Sequence, residues 1–218
     1  MSVLDGKIAV VTGASKGIGQ VAARLLAEAG ARVAGCARHA TGDTVACDVG
    51  NAADVDRFVA DVLNRLGPPD VLVNNAGIAA RGRLEETPIQ TWDAVMDANL
   101  RGTFLVTRGF LPAMRARRAG RIINVASISG RQGTANLTAY CAAKHGVVGL
   151  TRALAEEVRE DGIAVNAVCP GSVDTEMLRV GMPGAKPDMS PGDVANVIIY
   201  LAASAPLALT GSCVDVFG

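Results

Sequence analysis

Tyr140 and Lys144 stand four residues apart in a stretch that reads as helix, so their side chains share one face. A free tyrosine titrates near pH ~10, too high for efficient proton exchange at neutral pH. A neighbouring ammonium group favours the phenolate, and such a tyrosine can give a proton to a carbonyl oxygen or take one from an alcohol. A second stretch, Thr12-Gly13-Ala14-Ser15-Lys16-Gly17-Ile18-Gly19, joins an apolar run to a helical one. Its glycines permit a tight turn and close approach of the backbone to a pyrophosphate. The helix start that follows presents free N–H groups to the anion. The spacing is G-x-x-x-G-x-G rather than the commoner G-x-G-x-x-G. Neither motif is decisive alone. A Tyr-x-x-x-Lys is only moderately specific by itself, and a Gly-rich turn needs no ligand.

What must position these groups is legible in the hydrophobic pattern. Short β-rich runs at 7–11, 32–37, 44–47, 70–74, 121–126, 163–168 and 212–217 alternate with helical stretches. The helices are expected at 19–30, 54–66, within 91–118, at 139–160 and at 191–203, with Pro112 marking a break or late turn in the third. This alternation predicts an α/β fold, a single doubly wound Rossmann-type domain over residues 1–218 with a seven-stranded, mostly parallel sheet flanked by helices. Ligands in such sheets bind beyond the carboxyl ends of the strands. The glycine stretch falls at such an end, and Tyr140 and Lys144 fall on a helix that follows one.

The chain has 218 residues, of which 50% are hydrophobic and only 3% aromatic, and its formal net charge is zero. Ala, Val, Leu and Ile dominate the apolar content, as suits buried parallel strands. Neutrality argues against a nucleic-acid or anionic-membrane surface. Two histidines make a His-based metal site improbable, and no metal is expected. The five cysteines are scattered and form no C-x-x-C pair, which fits free thiols better than a disulfide framework. No basic-then-apolar leader and no apolar run of about 18 residues is present, so a cytoplasmic location is expected.

The ordered set of motifs resembles the short-chain dehydrogenase/reductase family, and within it the 3-oxoacyl-carrier-protein reductases. It comprises the glycine loop, Asn74-Asn75-Ala76-Gly77, Asn99, Ser127, Tyr140-Cys141-Ala142-Ala143-Lys144 and Pro170-Gly171-Ser172-Val173-Asp174-Thr175. The resemblance covers nearly the whole chain. It implies a catalytic set of Asn99, Ser127, Tyr140 and Lys144. Ser127, thirteen residues before Tyr140, would bond the substrate oxygen. Lys144 would also bond the nicotinamide ribose, and Asn99 would orient a water that relays protons. Ser129 is expected to line the site. The resemblance further implies a cofactor cradle of Gly13, Ser15, Lys16, Gly17, Ile18 and Gly19, with Asp48-Val49 at the adenine and Asn75-Ala76-Gly77 beside the cofactor. In the family that asparagine steadies the central sheet. Pro170, Gly171, Val173 and Thr175 would fix which nicotinamide face is exposed.

NAD enzymes of this kind place a carboxylate at the end of the second strand, where it would repel the 2′-phosphate of NADP. By alignment of the loop, that position is Ala37, followed by Arg38, and Lys16 lies in the glycine loop. Two cations and no carboxylate suit a dianionic phosphate, so the resemblance implies NADP(H). His39 is read as a surface residue near the same pocket.

Two segments depart from the family pattern. Residues 38–48 are short, deleting much of a helix-containing connection, and the substrate-covering segment at 176–190 is brief. Met177, Leu178, Val180 and Met182 make that cover apolar and adaptable, or simply pack it against the core. Arg115, Arg117, Arg118 and Arg121 form a basic cluster which, by resemblance, would help dock an acidic carrier protein. A second docking position aligns with Asp161, which weakens that reading, and a solvated helix end is the alternative. A small carbonyl or alcohol substrate and a homodimer or homotetramer are expected by the same analogy. An NADP-binding sensor with no catalysis stays open as the rival to an oxidoreductase.

Overall fold

A computed structural model describes residues 2–218. Seven strands form one sheet: β1 (Ile8–Thr12), β2 (Arg32–Ala37), β3 (Thr44–Ala46), β4 (Val71–Asn74), β5 (Gly120–Val125), β6 (Ile163–Pro170) and β7 (Cys213–Val216). Their order is β3-β2-β1-β4-β5-β6-β7, and every pairing is parallel. Strands covered on both faces read as continuous apolar runs, and β1, β4 and β6 are buried at every residue.

Successive strand residues supply two cores. Val11, Val73 and Ile123 face one side, under α1 (Gly17–Glu28) and α7 (Pro191–Ala203). Val10, Leu72 and Ile122 face the other, where α2 (Ala52–Arg65) and α4 (Gly102–Arg117) bring Phe58 and Phe110 edge to face. α5 (Thr138–Glu157) covers the same side further along the sheet. Local signals set the helix starts. Asn51 Oδ1 caps α2, and Ser190 with Asp193 forms a reciprocal cap on α7 ahead of Pro191.

One expectation about the helices is met and another changes. No helix joins β2 to β3, as the short segment predicted, because β3 pairs only with Gly35–Ala37 and the chain need step back just two residues. Pro112 does not break its helix. α4 runs through it to Arg117, since Pro112 is exposed and the carbonyl it frees can be solvated. The irregularity lies earlier: α3 (Ile89–Met96) passes into α4 through a π-helical turn at Asp97–Arg101 that contains Asn99.

The strand order reverses between β1 and β4, whose carboxyl ends open a crevice where a ligand is expected. A short α6 (Glu176–Gly181) lies across its mouth, and no helix is long and apolar enough to cross a membrane among the described residues.

Candidate active site

A cleft of about 660 Å³ occupies this crevice. Gly13, Ser15, Lys16, Gly17 and Ile18 form one wall, Arg38, Asp48 and Val49 another, and Asn75, Ala76, Gly77 and Thr175 the floor and far side. The glycines are required there. Gly13 and Gly17 have φ of +66° and +58°, in the left-handed region. A Cβ on Gly13 would meet Ala76 Cα at 2.9 Å, and one on Gly19 would collide with the Gly13 carbonyl and Asn75 Nδ2. Gly19 is buried behind the loop rather than on the cleft wall. Asn75 fixes this packing, donating from Nδ2 to the Thr12 and Gly13 carbonyls at 3.0 and 3.1 Å. Thr12 Oγ1 in turn accepts from the Asn75 and Ala76 amides. Asn75 thus bridges β1 and the end of β4. α1 starts with no side-chain cap, which leaves its first N–H groups directed at the cleft.

Arg38 is exposed and lines the cleft beside His39 and Thr41. Lys16 lines the same cleft and pairs with Glu176 of α6 at 2.5 Å. This pair holds the glutamate carboxyl below its usual range. Asp48 is braced by its own turn, accepting from Gly50 N at 2.9 Å, and Val49 packs on Gly102. Val173 is buried in the core beneath the cleft, so its side chain does not line it, and any part it has in binding falls to its backbone. Pro170 ends β6, and Gly171, which follows it, lies close to the Phe217 ring.

Tyr140, Ser127 and Lys144 come together at the ends of β5 and α5. Ser127 caps the turn after β5, its Oγ accepting from Ser129 N at 3.1 Å. Its hydroxyl also reaches the Tyr140 phenol and lowers that group's pKa. Ser129 is buried and bonds Thr134, so it supports the turn. Lys144 is buried, donates from Nζ to the Val125 carbonyl at 2.7 Å, and lies 5.6 Å from the Tyr140 ring centroid. Burial depresses Lys144 to about 8 and raises Tyr140 to about 12. The expected lowering of the tyrosine by the lysine is therefore reversed. Desolvation dominates, and Ser127 supplies the opposing effect.

Asn99 is also brought here. Its Nδ2 donates to the Ile78 and Val95 carbonyls, both at 2.8 Å, while its buried Oδ1 has no partner. That oxygen fills the place a Gly77 side chain would take, and Lys144 Nζ is 3.7 Å from the same point.

The cover over the mouth is anchored at both rims, by Lys16–Glu176 and by Gly181 against Ala79. Met177 and Val180 are exposed and Leu178 and Met182 half-buried, so the segment is only partly packed down. Ile78, Ala98, Thr41 and Cys47 also line the cleft, and no motif marked them. Ile78 and Ala98 are ordinary apolar residues in a loop and a helical turn, recognisable only from their three-dimensional neighbours.

The basic cluster is only partly paired with acidic groups. Arg115 pairs with Glu157 and Asp161, Arg117 with Asp70, Arg118 donates to the Glu160 carbonyl, and Arg121 to that of Leu201. Arg115 and Arg117 are thus partly neutralised within the fold, whereas Arg118 and Arg121 bond only neutral carbonyls and keep their charge, so the cluster is a weak basis for docking an acidic carrier. All five cysteines are free thiols, and no cluster of metal-ligating side chains occurs among the described residues.

The short chain dehydrogenase family profile matches residues 7–183. A putative ketoacyl reductase of Streptomyces coelicolor is 37% identical, with all of this chain and 98% of that protein aligned. The alignment spans 257 positions, so the relative carries segments that this 218-residue chain lacks. A 3-oxoacyl-[acyl-carrier-protein] reductase of Vibrio cholerae serotype O1 is 34% identical over 99% of this chain and 97% of its own. Among solved structures, the aldohexose dehydrogenase of Thermoplasma acidophilum superposes with a TM-score of 0.91 at 31% identity, covering 99% of this chain and 94% of that one. With the parallel sheet, the glycine cradle and these matches in agreement, the chain belongs to the short-chain dehydrogenase family of oxidoreductases.

Proposed function

We propose that this protein is an NADP(H)-dependent reductase of ketones and 3-oxoacyl thioesters, acting reversibly on carbonyl and alcohol carbons. The observation that carries it is the convergence of Ser127, Tyr140 and Lys144 beside the dinucleotide-sized cleft. The cradle fits the cofactor. Its glycines leave room for a pyrophosphate, the uncapped start of α1 suits the anion, and Arg38 and Lys16 suit the 2′-phosphate. Asp48 and Val49 would hold the adenine, and Asn75, Ala76, Gly77, Pro170, Gly171, Val173 and Thr175 the nicotinamide half. When bound, the nicotinamide supplies the hydride donor.

The protein's own groups handle the oxygen and the proton. Ser127 Oγ donates to the substrate oxygen as negative charge develops there. Tyr140 gives its phenolic proton to that oxygen, and a phenol held protonated to about pH 12 is in the form that reduction requires. Lys144 holds its charge next to the phenolate that remains and bonds the ribose. The buried Asn99 Oδ1 is the acceptor for a water that returns a proton toward Lys144. The relatives' names support a ketoacyl substrate. A reducing cytoplasmic setting fits the free thiols, and a homodimer or homotetramer belongs to the same reading.

The test is NADPH oxidation at ~340 nm, an absorbance specific to the reduced nicotinamide, against ketones, aldehydes and acetoacetyl thioesters with NADH in parallel. Turnover with NADPH that disappears in Tyr140→Phe, with cofactor binding kept, supports the proposal. Tight NADPH binding with no turnover across the panel returns the sensor reading.

A further inference from the structure

Four buried polar side chains cross the sheet behind the candidate active site. Asn74 and Asn124 are register partners on β4 and β5. Asn74 Nδ2 donates to Asn124 Oδ1 at 2.8 Å and to Thr107 Oγ1 of α4 at 2.9 Å. Asn124 Nδ2 donates to Thr151 Oγ1 of α5 at 2.9 Å, and Thr151 donates onward to the Val147 carbonyl. Asn124 and Thr151 are wholly buried. One turn before Thr107, Thr103 Oγ1 donates to the Asn99 carbonyl.

An apolar core would hold these elements together as firmly, since buried amides recover little net energy. What the chain of amides adds is register. α5 meets β5 at two points on one helix face, seven residues apart: Lys144 Nζ on the Val125 carbonyl, and Thr151 on the preceding residue, Asn124. Ser127 follows two residues later along the same segment. A slip or roll of α5 along β5 must break the Asn124–Thr151 bond.

Resting on the reductase reading above, we infer that Asn124 and Thr151 are positioning residues. Through α5 they fix the Tyr140 phenol and Lys144 amine against Ser127. Neither touches the cleft.

Thr151→Val keeps the buried shape and removes the bond, and Thr151→Ser keeps the hydroxyl. In Thr151→Val, kcat for acetoacetyl-thioester reduction should fall about tenfold through misplacement alone. KM and the NADPH Kd should stay within about twofold, because the cradle is untouched. In the same variant without cofactor, [6-13C]lysine NMR should show Lys144 titrating at least roughly half a pH unit above wild type, as a loosened helix admits water. Thr151→Ser should restore both. An unchanged kcat, an unchanged Lys144 titration, an equal loss of NADPH affinity, or a serine variant as poor as the valine would each overturn the inference. If the wild type turns over no carbonyl, the reductase reading fails, and the NMR titration alone decides for or against the positioning role.

Discussion

The carbonyl oxygen of Lys144 lies 2.6 Å from where a Cβ on Gly130 would stand, so the turn after Ser127 rests directly on the backbone of α5. Neither side can yield cheaply, because both are main chain. Gly130→Ala should push α5 from the Ser127 turn and cut kcat about a hundredfold, the scale of an ångström's misplacement. NADPH affinity should change little. Steady-state kinetics with a cofactor titration checks this, and an alanine variant with full kcat would show that the contact is slack.

Lys144 gives a pH signature. Burial lowers it from 10.5 to about 8, an energy of about 3 kcal/mol against the charged form. Between those values the unfolded chain holds the proton that the folded protein has lost, so this group makes stability rise with pH. Lys144→Met lacks the effect. Its Tm advantage over wild type should be greatest near pH ~7 and shrink toward pH ~10. Thermal melts of both proteins across that range test it. A constant gap would mean that Lys144 titrates normally.

Cofactor choice should follow Arg38. Arg38→Asp puts a carboxylate where the 2′-phosphate is expected, and the NADP/NAD ratio of kcat/KM should fall by about a hundredfold or more, the sum of a lost ion pair and a new repulsion. A ratio that hardly moves would remove Arg38 from the binding site.

Glu176 competes for Lys16. In Glu176→Gln the lysine is free for the phosphates, and NADPH should bind about two- to fivefold more tightly at low salt, a gain that added salt erases. Weaker binding would instead assign the Lys16–Glu176 pair to closing the cover.

Most of the scaffold was legible before any geometry, because buried parallel strands leave long apolar runs and their helices keep a 3.6-residue stripe. The site residues were readable where chemistry restricts type, as at Gly13, Tyr140 and Lys144. Four features were not. Pro112 lies in a regular helix because its ring faces water, an orientation spacing alone does not give. The π-turn at Asn99 has no sequence signature, yet it aims the side chain at Gly77. Arg115 and Arg117 looked free because their partners, Asp70, Glu157 and Asp161, come from distant parts of the chain. The direction of the Tyr140 shift was also beyond reach, since it depends on how much water the fold excludes.

The three-residue β3 covers only Gly35–Ala37, so the outer edge of β2 from Arg32 to Ala34 carries amide and carbonyl groups without a neighbouring strand. Such an edge is a template on which a foreign strand can add. Arg32, charged and exposed, stands at its open end. The shortening that trims this edge of the sheet thus also creates a self-association hazard, and a single guanidinium guards it against stickiness in a crowded cell.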